Sequence, residues 1–376
     1  MPKNINIEID YDKSILALSN SILKYFNCPH KYKSLEILDK VLDKKYQNVV
    51  LMIIDGMGAN VLEKTLSEKS FLRQHVISNI SSVFPSTTAA ATTAYHSGLP
   101  PLASGWLGWM CYFPQYDKII ELFRNKEYYT GRDILEPPVS ETFIKYEPIY
   151  TQITKVNPDV EYHRIFPDFE ENGCCSFAEE CERVIKESRQ NNKRKIFAVY
   201  WTEPDHSIHE FGVESIEAKK IMDDINDNLE KMYSQLKDTI VIISADHGII
   251  DTQQIYLNDY PDLCKTFLRP PSLESRFVNF FIKPGQQAVF EKLFYQYFDE
   301  DFILYKKQEF LSSGILGHGN KHPLVDDFLG EYQTIAIGKR CLHYSTAERA
   351  LKLFKAEHAG VTPAEMTVPL IVLKQK

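Results

Sequence analysis

Three largely apolar runs constrain the fold of this chain most, because each leads directly into an acidic motif. They cover Val49–Ile54, Lys195–Trp201 and Thr239–Ala245. Continuous apolar strands are typical of a parallel sheet that is covered on both faces. In such sheets the functional side chains lie at the carboxyl ends of the strands. The sequence therefore predicts an α/β fold whose polar residues gather along one edge of a central sheet.

The length of 376 residues bears on domain organisation. A single hydrophobic core rarely grows beyond about 250–300 residues, so we expect one large α/β domain with an inserted lobe, or two domains. Several prolines between Pro261 and Pro284 mark a change of character in the chain. A strand and a helix are predicted in this part. We assign about 256–321 to a smaller inserted lobe within one domain that spans 1–376.

Hydrophobic periodicity places the other elements along the chain. Apolar residues at helical spacing predict helices over Ser14–Phe26, Leu35–Leu42, Asp117–Tyr128, Phe177–Gln190, Ile216–Leu236, Gln287–Tyr297 and Ser345–Lys355. Further strands are predicted over Val76–Val83, Arg276–Ile282, Tyr332–Ile337 and Val368–Leu373. Residues 132–167 have weak periodicity, and we expect loops and short strands there.

Charge and cysteine content disfavour several classes of protein. The formal net charge of −8 opposes non-specific binding to nucleic acid or to anionic membranes, although metal ions could still hold a small anionic substrate. The seven cysteines form no CxxC pair, which disfavours a zinc ribbon and a disulfide framework. No signal peptide and no membrane span is predicted, because no apolar stretch is long enough. We expect a reduced, cytoplasmic setting.

The stretch Ser82–Pro101, SVFPSTTAAATTAYHSGLPP, supplies two candidate nucleophiles. Pro85 cannot lie inside a helix and Ser86 is a suitable cap, so we expect a helix through the alanines that follow. Backbone N–H groups and the helix dipole favour negative charge at that end. A hydroxyl of Thr87 or Thr88 placed there can become an alkoxide or lie beside a phosphate. Taken alone, the pattern is more often an ordinary helix cap.

The segment TEPDHSIHEFG, which follows the second apolar run, has the spacing of a chelating pair. Asp205 and His209 stand four residues apart, so a helical turn places both on one face. His206 falls outside that face, where it would be exposed or support the ligands indirectly. Taken alone, each of the acids at the strand ends could be a cap or a satisfied polar group, and Asp55 could equally cap a helix from Ala59 onward.

Together the strand ends favour a site for two divalent cations. The candidate ligands are Asp55, Asp205, His209, Asp246, His247 and His358, the last of which precedes the final predicted strand. Imidazole ligands favour Zn²⁺ or Mn²⁺ over Ca²⁺ or Mg²⁺. Two such ions about 3.5–4 Å apart form a clamp for in-line phosphoryl displacement. That clamp lacks a nucleophile unless Thr88 supplies one.

These motifs resemble the alkaline phosphatase superfamily, and most closely its type I phosphodiesterase/nucleotide pyrophosphatase branch. The resemblance rests on VVLMIIDGMG, FPSTTAAATTAYHSGLPP, YWTEPDHSIHEFG, ISADHG and HAGVTPAEMTVPLI, which are spread over nearly the whole chain. It implies a three-layer αβα fold with a mostly parallel central sheet and a smaller inserted α+β lobe. In that branch a threonine follows a P-S-x signature, and this pattern selects Thr88 over Thr87.

The resemblance also implies a metal-dependent phosphoric ester hydrolase, most closely a phosphodiesterase or nucleotide pyrophosphatase. One metal would be held by Asp205, His209 and His358, and the other by Asp55, Thr88, Asp246 and His247. Most typically both ions would be Zn²⁺, with Mn²⁺ as an alternative. Thr88 would attack phosphorus to form a phospho-threonine, which water then hydrolyses. The expected partner is a small phosphate ester such as a nucleotide.

Two positions complicate this pattern. His318 lies in a G-H-G context and is an alternative to His358 as the last ligand, although the V-P-L strand that follows favours His358. The branch usually carries an asparagine three residues after the nucleophile, where this chain has Ala91. The second donor to the phosphate is therefore unassigned, and the preference between diesters and monoesters stays open.

Alternative functions follow from the same residues. A phosphomonoesterase or a phosphonate hydrolase would use an identical site. A catalytically silent metal-binding or sensor protein is the alternative of another class, and the complete ligand set argues against it. Trp106 and Trp109 either line a pocket for a flat aromatic group or belong to the core.

Overall fold

The computed structural model describes residues 7–134, 136–348 and 353–375, and all structural statements concern these residues. Its strands are β1 (Asn48–Ile54), β2 (Val76–Ser81), β3 (Met110–Phe113), β4 (Lys118–Glu121), β5 (Lys126–Glu127), β6 (Val160–Ile165), β7 (Arg194–Trp201), β8 (Thr239–Ser244), β9 (Ile250–Asp251), β10 (Gln253–Tyr256), β11 (Ser272–Leu273), β12 (Phe277–Phe280), β13 (Phe302–Lys306), β14 (Tyr332–Ala336), β15 (Arg340–His343), β16 (Ala356–Glu357) and β17 (Thr367–Gln375).

The helices alternate with these strands along the chain. They are α1 (Ile15–Tyr25), α2 (Glu36–Val41), α3 (Ala59–Thr65), α4 (Phe71–Gln74), α5 (Thr88–Ser97), α6 (Pro101–Ser104), α7 (Val139–Phe143), α8 (Ile149–Val156), α9 (Phe177–Ser188), α10 (Asp205–Phe211), α11 (Ile216–Gln235), α12 (Pro261–Cys264), α13 (Gln287–Phe298), α14 (Lys307–Ser312), α15 (Val325–Phe328) and α16 (Pro363–Met366). Ser14, Ser176 and Ser215 cap the N-termini of α1, α9 and α11 through their side chains. Among the described residues, no helix has both the length and the apolar character that a membrane crossing requires.

The central sheet has the strand order β2-β17-β8-β1-β7-β6. Strands β8, β1, β7 and β6 run parallel to one another, whereas β17 is antiparallel to both of its neighbours. Every residue of β1 and β8 is buried, as the continuous apolar runs predict. On one side α1, α5 and α8 pack together, and α3, α4, α9 and α11 form a second group. This arrangement confirms the predicted three-layer αβα fold with a mostly parallel central sheet.

A second, antiparallel sheet has the order β13-β14-β12-β11-β3-β4-β5. One phenylalanine-rich cluster packs α13 against it, and another cluster joins it to Phe84 and Trp106 beside the central domain. Its strands come both from 110–127 and from 272–336, so this sheet draws on chain outside the range 256–321. That about 256–321 form an inserted lobe within a single domain stays a prediction.

The helix predicted over Asp117–Tyr128 is wrong. The segment forms β4, a turn at Asn125 and β5, and β4 pairs with β3 so that Cys111 lies opposite Ile120. The turn is possible because Asn125 adopts a left-handed φ of 53°. Pairing between strands buries Ile120 and Leu122 in the second sheet's core, and this long-range contact overrides the local helical spacing.

Residues 132–167 are more regular than the sequence predicts. They form α7 and α8, followed by the six-residue strand β6 at the edge of the central sheet. Pro138 and Pro148 precede these two helices, where a fixed φ suits a helix start.

The helix predicted over Ser345–Lys355 lies partly outside the described residues, and its described parts, 345–348 and 353–355, are not helical.

Candidate active site

Three carboxylates lie at the carboxyl ends of the neighbouring strands β8, β1 and β7. Asp55 follows β1, Asp246 follows β8, and Asp205 opens α10 after β7. The backbone N–H of Asp205 donates to the carbonyl oxygen of Asp55 at 3.2 Å, and the N–H of Gly56 donates to Oδ1 of Asp246 at 3.1 Å. Strands β1 and β8 are parallel, with Asn48 opposite Thr239, so their carboxyl ends lie side by side. This register brings together acids that are separated by up to 191 residues in the sequence.

Gly56 is required for this approach. Its φ is +69°, and a Cβ placed there would lie 2.7 Å from Cβ of Asp205. A side chain at this position would therefore both strain the backbone and displace Asp205. The glycine in the Asp55-Gly56 motif is explained by the close contact between the ends of β1 and α10.

Each of the three carboxylates has a buried oxygen that the surrounding side chains and backbone, over the part of the chain that the structure describes, leave without a hydrogen bond. Asp55 Oδ1, Asp205 Oδ1 and Asp246 Oδ2 are buried and have no hydrogen-bond partner within the described residues. Burial, together with the charges of Asp246 and Asp205, raises the pKa of Asp55. A buried ionised carboxylate needs a compensating cation or must bind a proton. The donor set therefore fits divalent metal ions, as the family resemblance implies.

Three histidines surround the carboxylates. His209 Nε2 lies 3.1 Å from Oδ2 of Asp205, and His358 Nε2 lies 4.0 Å from its Oδ1. His247 Nε2 lies 3.5 Å from Oδ1 of Asp55. The rings of His247 and His358 are stacked with their centroids 3.8 Å apart. The ring nitrogens therefore point into the same space as the unpartnered carboxylate oxygens.

The protonation of these groups reflects their unequal environments. Burial, together with the charge of His247, lowers the pKa of His358, so this imidazole is neutral. Burial opposes protonation of His209 as well, but Asp205 outweighs it and raises the pKa of His209 to about 9. Asp205 has a lowered pKa because neighbouring imidazoles outweigh its burial. Neutral imidazole and ionised carboxylate are the forms that bind metal.

Two triads have donor atoms that all lie within 4.8 Å of one another. They are Asp205, His247 and His358, and Asp55, Asp246 and His247. His209 adjoins the first triad through Asp205, and its Nδ1 lies 2.7 Å from the carbonyl oxygen of Ala356, which orients the ring. All six predicted strand-end ligands are thus close together, and His247 belongs to both triads.

Thr88 and Thr87 have different surroundings. Thr88 is the first residue of α5, and its Oγ1 lies 3.2 Å from Nε2 of His247. Thr87 is the N-cap, and its hydroxyl donates to Oε1 of Glu274 at 2.7 Å. Only Thr88 therefore presents its hydroxyl to the cluster of carboxylates and histidines.

Other predicted positions lie elsewhere. His318 is exposed and lies against Tyr11, with ring centroids 6.2 Å apart, so it does not join the cluster that contains His358. The side chain of His206 is 75% exposed. Ala91 is fully buried in the core of the central domain. Trp106 is buried in the second sheet's core and donates its indole N–H to the carbonyl oxygen of Ile144.

Sequence reasoning missed residues that support the cluster. Tyr200, on β7, donates its hydroxyl hydrogen to Oδ2 of Asp55. Glu274 is half-buried, and its Oε1 also accepts from the N–H of Trp109 at 2.6 Å. Nothing in the spacing of either residue marks it, because each partner lies more than 100 positions away. The one signal in the sequence is the alternation of side chains along β7, which places Tyr200 on the same face of the strand as Ala198.

Solved structures with a similar fold include two relatives of the same name from mouse and human. Murine ectonucleotide pyrophosphatase/phosphodiesterase 5, an inactive variant in complex with AMP, has a TM-score of 0.64 and 15% sequence identity and covers 87% of each chain. The human protein of the same name has a TM-score of 0.66 and 17% identity, with 86% of this chain and 87% of that chain covered. At such identities the likeness concerns the fold alone. A search of curated protein sequences finds no significant match.

A sequence profile gives the family. The profile described as type I phosphodiesterase / nucleotide pyrophosphatase matches residues 49–289, which is more than half of the chain. This range includes Asp55, Thr88, Asp205 and Asp246 but ends before His358. The chain therefore belongs to the type I phosphodiesterase / nucleotide pyrophosphatase family and is a metal-dependent phosphoester hydrolase.

Proposed function

We propose that this protein hydrolyses a nucleotide phosphodiester or pyrophosphate through a phospho-threonine at Thr88. The observation that carries the proposal is the position of its hydroxyl, 3.2 Å from Nε2 of His247 and at the N-terminus of α5. The neighbouring hydroxyl of Thr87 is bonded to Glu274 instead.

The ligand assignment is the one that the family resemblance implies, and the closeness of these side chains supports it. We assign Asp205, His209 and His358 to one divalent cation, and Asp55, Thr88, Asp246 and His247 to the other. The mixture of imidazole and carboxylate donors favours Zn²⁺, with Mn²⁺ as the alternative. When bound, such ions supply positive charge that lowers the pKa of a hydroxyl and stabilises charge on phosphoryl oxygens.

The chain's own residues supply the nucleophile and position the phosphoryl group. In the first half-reaction Oγ1 of Thr88 forms a bond to phosphorus while the bond from phosphorus to the leaving oxygen breaks, and the proton of the threonine hydroxyl is transferred to the leaving oxygen. In the second, the oxygen of water forms the new bond to phosphorus while the bond to Oγ1 of Thr88 breaks, and one proton of the water restores the threonine hydroxyl. The first N–H groups of α5 have no partner within the helix, so they can donate hydrogen bonds to phosphate oxygens. Ala91 offers no side-chain donor, which makes these N–H groups more important here.

A nucleotide is the substrate class that we favour. The murine relative was solved with AMP, which supports a nucleotide-binding cleft in this fold. A phosphomonoesterase is the second candidate, because Ala91 stands where the family usually has an asparagine that donates to the phosphate.

The predicted cytoplasmic location is consistent with the seven cysteines, none of which forms a disulfide among the described residues.

A substrate comparison tests the proposal. Zn²⁺-loaded protein should hydrolyse bis-p-nitrophenyl phosphate faster than p-nitrophenyl phosphate or the p-nitrophenyl ester of phenylphosphonate. Higher activity on the monoester would favour the phosphomonoesterase, and higher activity on the phosphonate ester would favour a phosphonate hydrolase. A protein that binds Zn²⁺ but hydrolyses none of the three would support the silent binding protein. Thr88→Ala, measured in parallel, separates enzyme activity from contamination.

A further inference from the structure

A second group of potential ligands lies outside the candidate active site. Cys341 and His343 stand two residues apart on β15, so their side chains project from the same face of the strand. Glu357 lies on β16, which pairs with β9. The Sγ, imidazole nitrogen and carboxylate oxygen of these residues all lie within 4.8 Å of one another. This is the spacing of donor atoms around a single ion.

The three side chains are withdrawn from solvent. Cys341 is fully buried, and the side chains of His343 and Glu357 are each 10% exposed. His343 Nε2 and Glu357 Oε1 are 3.4 Å apart, yet neither has a hydrogen-bond partner within the described residues. Leaving a buried polar atom without a partner is costly, so two adjacent ones indicate that a further group satisfies them.

We propose that Cys341, His343 and Glu357 form a separate binding site for a Zn²⁺-type divalent cation. A thiolate and a carboxylate together carry two negative charges, which a divalent ion neutralises, so the bound cluster could remain buried. Thiolate and imidazole select Zn²⁺ over Mg²⁺ and Ca²⁺. Ser275 donates its hydroxyl hydrogen to the other oxygen of Glu357 at 2.9 Å, which orients the carboxylate towards the site.

The position of the site indicates a structural role. Glu357 directly precedes His358, and β16 is only two residues long. An ion held by Glu357 and by two residues of β15 would join these short strands across the chain segment 344–356. It would thereby fix the backbone that leads into the His358 loop. Before binding, burial raises the pKa of the Cys341 thiol to about 12, so binding must release a proton.

Co²⁺ is the probe that distinguishes this site from the active site. Thiolate bound to Co²⁺ gives a charge-transfer band in the near ultraviolet, and none of the ligands assigned to the active site is a cysteine. Full-length protein titrated with Co²⁺ should develop this band and saturate at one equivalent of thiolate-bound ion per chain. A wild-type protein without the band would overturn the proposal, whatever its hydrolytic activity, so this result is independent of the proposed function.

Variants assign the band to its ligands. Cys341→Ser should abolish it, while Cys111→Ser, an equally buried cysteine in β3, and Cys175→Ser, an exposed one, should leave it unchanged. If Cys341→Ser does not fold, His343→Gln keeps the thiol and should weaken Co²⁺ binding roughly tenfold or more. A band that persists at full strength and affinity in His343→Gln would contradict the site, as would its loss in Cys175→Ser.

Discussion

Arg276, directly before β12 of the second sheet, and Glu365, on α16 just after the loop that carries His358, form a fully buried, two-point ion pair. Arg276 Nε donates to Oε1 of Glu365 at 2.6 Å, and a terminal nitrogen donates to Oε2 at 2.8 Å. Both side chains are 0% exposed. Glu365 Oε1 also accepts the N–H of Gly360, two residues after His358. The pair therefore connects the packing of the second sheet to the position of a candidate metal ligand.

Removing one partner of this pair should be strongly destabilising. Arg276→Met leaves the carboxylate of Glu365 buried without its cation, and we expect a loss of about 3–5 kcal/mol in the free energy of unfolding. Urea denaturation measures this change. Lys64→Ala breaks the exposed pair with Glu214 and is the matched control, with an expected loss of below about 1 kcal/mol. Equal, small losses in both variants would show that Arg276 and Glu365 are not coupled.

Tyr200 should position Asp55 for metal binding. Its hydroxyl donates to Oδ2 of Asp55, so Tyr200→Phe removes this bond while keeping the ring. We expect Zn²⁺ affinity to fall by about 10–100-fold, with kcat recovering when the metal concentration is raised. Competition with a chromophoric chelator measures the affinity. Tyr150→Phe removes another buried hydroxyl, which lies 3.2 Å from His96, and should leave the affinity unchanged. An unaltered affinity in Tyr200→Phe would remove Tyr200 from the site.

Glu180 should make stability depend on pH. Both of its oxygens are buried and have no hydrogen-bond partner in the part of the chain that the structure describes, and burial raises its pKa to about 9. Between its ordinary pKa and this value the folded protein binds more protons than the unfolded chain, so stability falls as pH rises through that window. Glu180→Gln should remove this slope and stabilise the protein by on the order of 2 kcal/mol near pH 8.

Urea denaturation at several pH values measures the slope for Glu180. Glu182→Gln, an exposed position on the same helix, is the control and should keep the slope of the wild type. If the stability of the wild type relative to Glu180→Gln rose between about pH 6 and pH 8, this would contradict the predicted fall of stability with pH. The same would hold if Glu180→Gln proved strongly destabilising near pH 8.

The sequence predicted those parts of the fold that local pattern determines. Strands β1, β7 and β8 are recognisable because both faces are apolar, and their acidic ends follow from the parallel register. The segment Asp117–Tyr128 was not recognisable, because its strand pairing depends on β3 and on the core around Ile120. In such cases contacts between distant segments decide between a helix and a strand.

The candidate site was predictable to the extent that its ligands follow strands. Asp55, Asp205 and Asp246 stand at strand ends, and their convergence follows from topology alone. Tyr200 and the Arg276–Glu365 pair were not predicted, since their contacts join segments far apart in sequence. Glu357 lies beside His358 in sequence, but only the packing of β15 brings Cys341 and His343 to it.

The central claim is that Thr88 carries the phosphoryl group, and direct trapping tests it. Zn²⁺-loaded protein is mixed with bis-p-nitrophenyl phosphate, quenched in acid within one turnover and digested, and peptides that contain Thr87 and Thr88 are sequenced by mass spectrometry. We predict a phosphate on Thr88, none on Thr87, and none in Thr88→Ala, whose hydrolysis should fall by about a thousandfold or more. Phosphorylation at Thr87, or near-normal turnover by Thr88→Ala, would contradict the account.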